Sequence, residues 1–146
     1  MNTHLIPRDV GATSAVTSAS RSASCESQTR IGRTYRFESA HRLPLLPDGH
    51  KCKNMHGHTY RLRVFIEGPL DPHLGWIMDF KELKDNIGPI IDLLDHNLIN
   101  DIEGLENPTA ENITIWIWNR IKPKLPLLSR IELFETPTTG VLYAGK

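Results

Sequence analysis

The chain has 146 residues, and its 17 Lys and Arg residues are balanced by 17 Asp and Glu residues. This length predicts one main domain with a substantial core, and the balanced charge argues against a nucleic acid or an anionic membrane surface as partner. No apolar run approaches the ~20 residues that span a membrane, and the two cysteines, Cys25 and Cys52, indicate a reducing cytoplasm rather than a disulfide framework.

The N-terminal segment differs in composition from the rest of the chain. Residues 1–30 are rich in Ser, Thr and Ala and contain no aromatic residue, so they cannot bury enough apolar surface to offset the entropy cost of ordering. We therefore expect a disordered extension over residues 1–30 and a folded domain over residues 31–146. A targeting peptide is the alternative, because Arg8, Arg21 and Arg30 lie among many serines.

Two strands are predicted at the start of this domain. The first covers residues 34–41 and ends at His41. Residues 59–67 alternate between apolar and polar side chains, which is typical of a strand with one face in the core. Gly68-Pro69 and Asp71-Pro72 then predict a connecting loop. The second strand is expected to bury Tyr60, Leu62, Val64 and Ile66 and to place Arg61, Arg63 and Glu67 on its other face.

Two helices are predicted after the loop. Asp79 and Glu82 form a pair resembling a capping box at the start of the first helix. Asn107-Pro108 predicts the start of the second, with the proline at the first helical position, and Lys122-Pro123 predicts its end. The apolar residues at helical spacing are Phe80, Leu83, Ile87, Ile90, Ile91 and Leu94 in the first helix and Ile113, Trp116, Ile117 and Ile121 in the second.

The last two predicted elements are strands at residues 130–135 and 140–144. A turn rich in Thr and Pro separates them. The complete order is therefore β-β-α-α-β-β, and we see no internal repeat in the chain. Strands and helices in this mixture predict an α+β fold.

The strongest functional signal is the segment from Cys52 to His58, together with His41 upstream of it. His56 and His58 are two residues apart, so their side chains point the same way if the backbone is extended. A third imidazole from another strand, that of His41, would complete a three-nitrogen site and leave one position of a tetrahedral zinc open. An open position is typical of a catalytic zinc, so the pattern predicts a metalloenzyme.

Cys52 has two interpretations. Lys51 and Lys53 flank it, and nearby cations favour the thiolate over the thiol. A thiolate beside a metal site can act as a base in catalysis. In the rival interpretation Cys52 is the fourth ligand of a closed Cys-His-His-His structural zinc site, and the spacing alone does not exclude it.

Three carboxylate or imidazole side chains outside this segment can also carry chemistry. Asp95-His96 follows the first predicted helix, where the histidine either caps carbonyl groups or belongs to an acid–base pair. Glu135 ends an apolar strand. A carboxylate there is either a solvated strand end or an acceptor of two hydrogen bonds from a planar amidine-like group, such as that of a pterin.

Six short segments spread over the predicted domain form a combination that is specific to one family. The segments are Phe37–Pro44, Cys52–His58, Gly75–Phe80, Leu94–His96, Glu106–Glu111 and Glu135–Thr136. In these segments and in their order, the chain from about Tyr35 to Gly145 resembles the 6-pyruvoyl-tetrahydropterin synthase superfamily. Three residues separate Cys52 from His56, a spacing similar to that of the bacterial branch that makes 6-carboxy-5,6,7,8-tetrahydropterin in queuosine biosynthesis.

The resemblance implies both a fold and a set of residue roles. The fold is the tunnelling fold, a four-stranded antiparallel sheet with two helices on one face, whose copies close a β-barrel. The implied assembly is a homohexamer of two trimers, with active sites at subunit interfaces. The implied roles are zinc binding by His41, His56 and His58, proton abstraction by Cys52, a relay through Asp95 and His96, and anchoring of the pterin ring by Glu135.

The implied reaction converts 7,8-dihydroneopterin triphosphate, a small-molecule substrate, to 6-carboxy-5,6,7,8-tetrahydropterin with release of acetaldehyde and triphosphate. Two alternatives stay open. One is a sister enzyme that forms 6-pyruvoyl-tetrahydropterin or cleaves the dihydroneopterin side chain. The other is a non-catalytic module stabilised by zinc, in which Cys52 is a ligand. For the enzyme we expect a cytoplasmic location and neither a nucleic-acid nor a membrane partner.

Overall fold

The computed structural model describes residues 28–145, which form a four-stranded antiparallel sheet with two helices. This confirms the predicted fold class and element order. The extension predicted over residues 1–30 lies mostly outside the described residues, although Thr29 and Arg30 belong to the first strand. The elements are β1 (Thr29–His41), β2 (His56–Gly68), α1 (Phe80–Leu94), α2 (Ala110–Ile121), β3 (Leu128–Phe134) and β4 (Gly140–Tyr143), with 3₁₀ turns at Lys51–Lys53 and Ile99–Asp101.

The strands lie in the order β1-β2-β3-β4, each antiparallel to its neighbour. β1 and β2 have 13 residues each and pair along their whole length, from Thr29 opposite Gly68 to His41 opposite His56. Both strands are longer than predicted, because the ladder continues beyond the stretches of clear apolar alternation. His56 and His58 therefore both lie in β2, whereas Cys52 lies in the turn before it.

One face of the sheet forms the core together with both helices. α1 packs against β1, and α2 packs against β3 and β4. Because side chains alternate along a strand, β2 sends every second residue into this core and the others to the opposite face. The four residues predicted for the core of β2 are all fully buried: Tyr60, Leu62, Val64 and Ile66.

The first helix follows its predicted pattern with one exception. The Asp79 carboxylate accepts a hydrogen bond from the Lys81 amide at 2.8 Å and caps the helix. Phe80, predicted to be buried, is 53% exposed, since other elements leave the first turn of the helix uncovered. In the part of the chain that the structure describes, no helix has the length and apolar character needed to cross a membrane.

The predicted start of the second helix is wrong. The helix begins at Ala110, and Thr109 rather than Asn107-Pro108 caps it by accepting a hydrogen bond from the Asn112 amide at 3.2 Å. Pro108 stays outside the helix because its carbonyl oxygen contacts the Nδ1 atom of His41 at 2.9 Å. A contact between distant parts of the chain has overridden a local signal for a helix start.

Candidate active site

Three histidines meet at one end of the β1–β2 pair. His41 lies opposite His56, and His58 lies two residues further along β2, so all three side chains point to the core face. Their ligand nitrogens lie within 4.8 Å of one another, and across residues 28–145 the cluster consists of these three side chains alone. The predicted histidines therefore have the geometry of a metal site with three protein ligands.

Hydrogen bonds to backbone carbonyl oxygens orient two of the rings. The Nδ1 atom of His41 lies 2.9 Å from the carbonyl oxygen of Pro108, and that of His56 lies 2.8 Å from the carbonyl oxygen of Asn54. Because a carbonyl only accepts, each Nδ1 carries the proton and each Nε2 keeps its lone pair. Among the described residues the buried Nε2 of His41 has no hydrogen-bond partner. Such an atom, facing two other imidazoles, fits a bound divalent cation.

Burial keeps His41 in the form that a metal requires. Its side chain is 1% exposed, and burial lowers the pKa of the imidazole, an effect that His56 and His58 reinforce and the Pro108 hydrogen bond opposes. A neutral imidazole is a metal ligand, whereas an imidazolium is not. Three imidazoles suit zinc and other divalent transition metals, so the donor set is compatible with the predicted zinc.

Tyr60 is a site residue that the sequence analysis assigned only to the core. Its hydroxyl lies 3.3 Å from Nδ1 of His41, and its ring packs edge-on against the rings of His41 and His58. Burial, reinforced by the negative charge of Glu135, raises the pKa of the Tyr60 hydroxyl, which therefore stays protonated. The one available sequence signal was its position on the same strand face as His58, two residues further on.

Cys52 shares a cavity of about 350 Å³ with the three histidines and Glu135. It is half-buried in the turn Lys51–Lys53. The turn is held in two places, since the Cys52 carbonyl accepts a hydrogen bond from the Leu43 amide at 2.9 Å and its own amide donates to Nδ1 of His50 at 3.2 Å. The Cys52 thiol lies outside the ligand cluster but inside its cavity, an arrangement that favours a reactive thiol over a fourth ligand.

Glu135 reaches the same cavity from the end of β3. Its Oε1 atom lies 4.0 Å from Nε2 of His41. Burial raises the pKa of its carboxyl, and Glu111 adds to the rise while His58 opposes it. Glu135 and Glu111 together line an adjoining cavity of about 290 Å³. A half-buried carboxylate where two cavities meet can accept paired hydrogen bonds from a planar donor group.

The structure places Asp95 and His96 away from the Cys52 cavity. Asp95 accepts a hydrogen bond from the Glu38 amide at 2.8 Å, and its other oxygen lies 2.9 Å from Nδ1 of His96. His96 has a φ of 55°, and its amide donates to the Glu38 carbonyl at 2.6 Å. Its exposed ring lines a different cavity, of about 540 Å³, with Thr59. One copy of the chain therefore does not bring His96 beside Cys52.

Comparison with known proteins gives a consistent set of relatives. Residues 30–146 match the family model described as 6-pyruvoyl tetrahydropterin synthase. A 6-carboxy-5,6,7,8-tetrahydropterin synthase of Synechocystis sp. is 37% identical over 77% of this chain and 91% of that protein. A dihydroneopterin monophosphate aldolase of Pyrococcus furiosus is 37% identical over 72% of this chain and 88% of its own. The 6-pyruvoyl tetrahydropterin synthase structure from Caenorhabditis elegans has a TM-score of 0.76 and 29% identity, covering 82% of this chain and 96% of that one.

Proposed function

Because the chain belongs to the 6-pyruvoyl tetrahydropterin synthase family, we propose that it is a zinc-dependent 6-carboxy-5,6,7,8-tetrahydropterin synthase of queuosine biosynthesis. It converts 7,8-dihydroneopterin triphosphate and water to 6-carboxy-5,6,7,8-tetrahydropterin, acetaldehyde and triphosphate. The observation that carries this proposal is the single cavity that holds three histidines, Cys52 and Glu135. The Synechocystis relative supports the choice of reaction. We assign the catalytic domain to residues 31–146. Thr29 and Arg30 extend it by two residues, because β1 begins at Thr29.

His41, His56 and His58 hold the zinc through the ring nitrogens that face one another. Zinc supplies Lewis-acid stabilisation of negative charge that develops on the oxygens of the substrate side chain. The protein fixes the three ligands in advance, since the Pro108 and Asn54 carbonyl groups hold two of the rings.

Cys52 is the base that removes a proton from the substrate side chain. Cys52 lines the histidine cavity, and so does Lys51. The proton goes to sulfur while the electron pair stays on the substrate, where it drives loss of the leaving group. A reducing cytoplasm, where we place the protein, keeps this thiol free of disulfides.

Glu135 anchors the pterin ring. Its ionised carboxylate accepts hydrogen bonds from the ring N–H and the exocyclic amino group, which present two parallel donors. Burial has raised the pKa of this carboxyl, so the unbound site carries a poorly solvated anion that two donors stabilise. The ring then lies at the mouth of the adjoining cavity, and its side chain extends toward Cys52.

The complete active site is formed by more than one copy. β1 and β4 are the edges of the open sheet, and closing a barrel from several copies removes both edges. The assembly we propose is a hexamer of two trimers. Asp95 and His96 bond to both backbone groups of Glu38 at the β1 edge, next to the part of that edge that we propose pairs with a neighbouring copy. Their proton relay therefore serves the Cys52 of another copy.

A second candidate reaction is aldol cleavage of a dihydroneopterin phosphate. The Pyrococcus furiosus aldolase is as similar to this chain in sequence identity as the Synechocystis synthase is. The two reactions draw on the same kinds of groups, a metal site and a base beside the pterin side chain. They differ in their products, because an aldolase releases a phosphorylated aldehyde and leaves a shortened dihydropterin.

The test is incubation of the zinc-loaded protein with 7,8-dihydroneopterin triphosphate, followed by mass analysis of the pterin and an assay for acetaldehyde. We expect a carboxytetrahydropterin together with acetaldehyde in equal amounts. A pyruvoyl-tetrahydropterin without acetaldehyde would assign the chain to the pyruvoyl-forming branch, and a shortened dihydropterin would favour the aldolase. Absence of turnover in protein that retains its zinc would contradict both synthase reactions, and the same assay with dihydroneopterin monophosphate tests the aldolase.

A further inference from the structure

The arginines on the helix-free face of the sheet differ in how their charge is compensated. At the end far from the histidines, Arg63 and Arg130 both pair with Glu132, at 3.1 and 3.3 Å. Arg30 pairs with Glu67 on the same face. Each arginine at that end therefore has a carboxylate at ion-pair distance.

At the other end of this face two arginines lie directly opposite each other. Arg36 on β1 is the register partner of Arg61 on β2, and like charges at opposite positions destabilise a sheet. Within residues 28–145 no carboxylate lies at ion-pair distance from Arg61, whose guanidinium stacks 4.7 Å from the centre of the Phe134 ring. Arg36 contacts Glu38 at 3.0 Å, but both side chains are largely exposed, so water weakens that pair.

These two arginines line a cavity of about 680 Å³. Hydroxyl groups complete its wall, those of Thr34, Thr59 and Thr136. His58 and Glu135 line it as well, so it lies back to back with the histidine cavity across the sheet. The cavity thus offers two guanidinium groups within one concave surface, whereas the Thr59 hydroxyl already donates to Glu38 at 2.6 Å.

We propose that this cavity binds the polyphosphate group of a small molecule. A guanidinium presents paired N–H donors that match phosphate oxygens, and two guanidiniums from register partners can hold adjacent phosphates. An anion between them removes the repulsion of the cross-strand pair. The exposed contact with Glu38 is weak enough for Arg36 to exchange it for a phosphate. The two guanidinium groups lie on the opposite face of the sheet from the zinc ligands, so this binding is distinct from the reaction proposed above, although the two cavities share His58 and Glu135 at their boundary.

Isothermal titration of the zinc-loaded full chain tests the site, with inorganic triphosphate and ATP as probes at constant ionic strength. The variants are Arg36→Gln and Arg61→Gln. The matched control is Arg63→Gln, which removes an equal charge from the same face at a position already paired with Glu132. We expect each of the first two substitutions to weaken binding at least about tenfold, and the control to bind within about twofold of the unmodified chain.

Retained zinc is measured after every titration. If a probe removed zinc, the heat measured would change alike in all variants. Binding at the proposed site instead predicts that Arg63→Gln keeps its affinity for the probe, whereas the other two variants lose it. Tighter binding of ATP than of triphosphate would identify a nucleotide as the source of the phosphates, and equal or weaker binding a bare polyphosphate. Lack of binding to the unmodified chain, or equal affinity in all variants, would overturn the proposal. Turnover is not part of the readout, so the proposed reaction can fail without affecting this result.

Discussion

Two clusters of reactive side chains in this chain are held in opposite ways. His41, His56 and His58 lie on the core face of two fully paired strands, and one copy of the chain brings their ligand nitrogens together. Asp95 and His96 are bonded to the edge of β1 through the backbone of Glu38, and neither lines the Cys52 cavity. One copy therefore assembles the three histidines, whereas the proton relay that we propose draws on a second copy.

The largest expected effect comes from removing a histidine of the complete cluster. His41→Ala should lose bound zinc and lower turnover by at least about 10³-fold, because Lewis-acid stabilisation of several kcal/mol is lost. The measurements are metal content by atomic absorption and the initial rate. His73→Ala is the control, since His73 is exposed and outside the cluster. A His41→Ala protein with full zinc content would contradict the assignment of this ligand.

Removing the thiol should separate chemistry from metal binding. Cys52→Ala is expected to keep its zinc and its melting temperature while turnover falls about 10²- to 10⁴-fold, the usual contribution of a general base. Cys25→Ala, at the other cysteine of the chain, should leave turnover unchanged. Joint loss of zinc and fold in Cys52→Ala would instead support the closed structural site with Cys52 as its fourth ligand.

The comparison between the clusters is tested most directly by mixing two inactive variants. If His96 serves the Cys52 of another copy, refolding equal amounts of Cys52→Ala and His96→Ala together should restore about a quarter of the unmodified activity. In a random mixture one site in about four takes its intact Cys52 and its intact His96 from different copies. Activity that stays at the level of the separate variants would place both residues of a site in one chain.

The smallest expected effect is a pH dependence at the edge cluster. The amide of Glu38, followed by His96, lowers the pKa of the Asp95 carboxyl. A carboxyl with a lowered pKa in the folded state adds stability above its unfolded pKa, and loses this contribution as pH falls through the folded value. Asp95→Asn should therefore lower the free energy of unfolding at neutral pH by an amount that shrinks in acid.

Urea unfolding of the metal-free protein across this pH range measures the difference without interference from zinc loss. Asp92→Asn, which removes a carboxylate from an exposed position on α1, serves as the control. A constant difference between Asp95→Asn and the unmodified chain at all pH values would show that the Asp95 charge does not stabilise the edge cluster.

Much of the fold was predictable because it follows local periodicity. The alternation in β2 identified its buried residues, and the apolar spacing of both helices identified their core faces. The predicted helix start that proved wrong was opposed by a contact with a distant part of the chain. Asn107-Pro108 has the composition of a helix start, but the Pro108 carbonyl contacts His41, and Thr109 caps the helix.

The metal site was predictable to a similar degree, and its surroundings were not. Two histidines two residues apart lie on the same face of any strand. His41 joins them once its strand is known to pair with theirs. The role of Tyr60 beside His41 could not be read from a residue that also fits the core pattern. The position of His96 depends on a backbone hydrogen bond that its amide donates to the Glu38 carbonyl of β1, which no local pattern predicts.

Residue types at short and regular spacing were enough to predict the element order, the core faces, the candidate metal ligands and the family. Which reactive groups share a cavity became visible only in the folded chain. The tertiary structure placed Cys52 and Glu135 with the histidines and put Asp95 and His96 elsewhere. The physical reason is that such placements depend on contacts between residues far apart in the chain, as between Asp95 and Glu38, which no local pattern encodes.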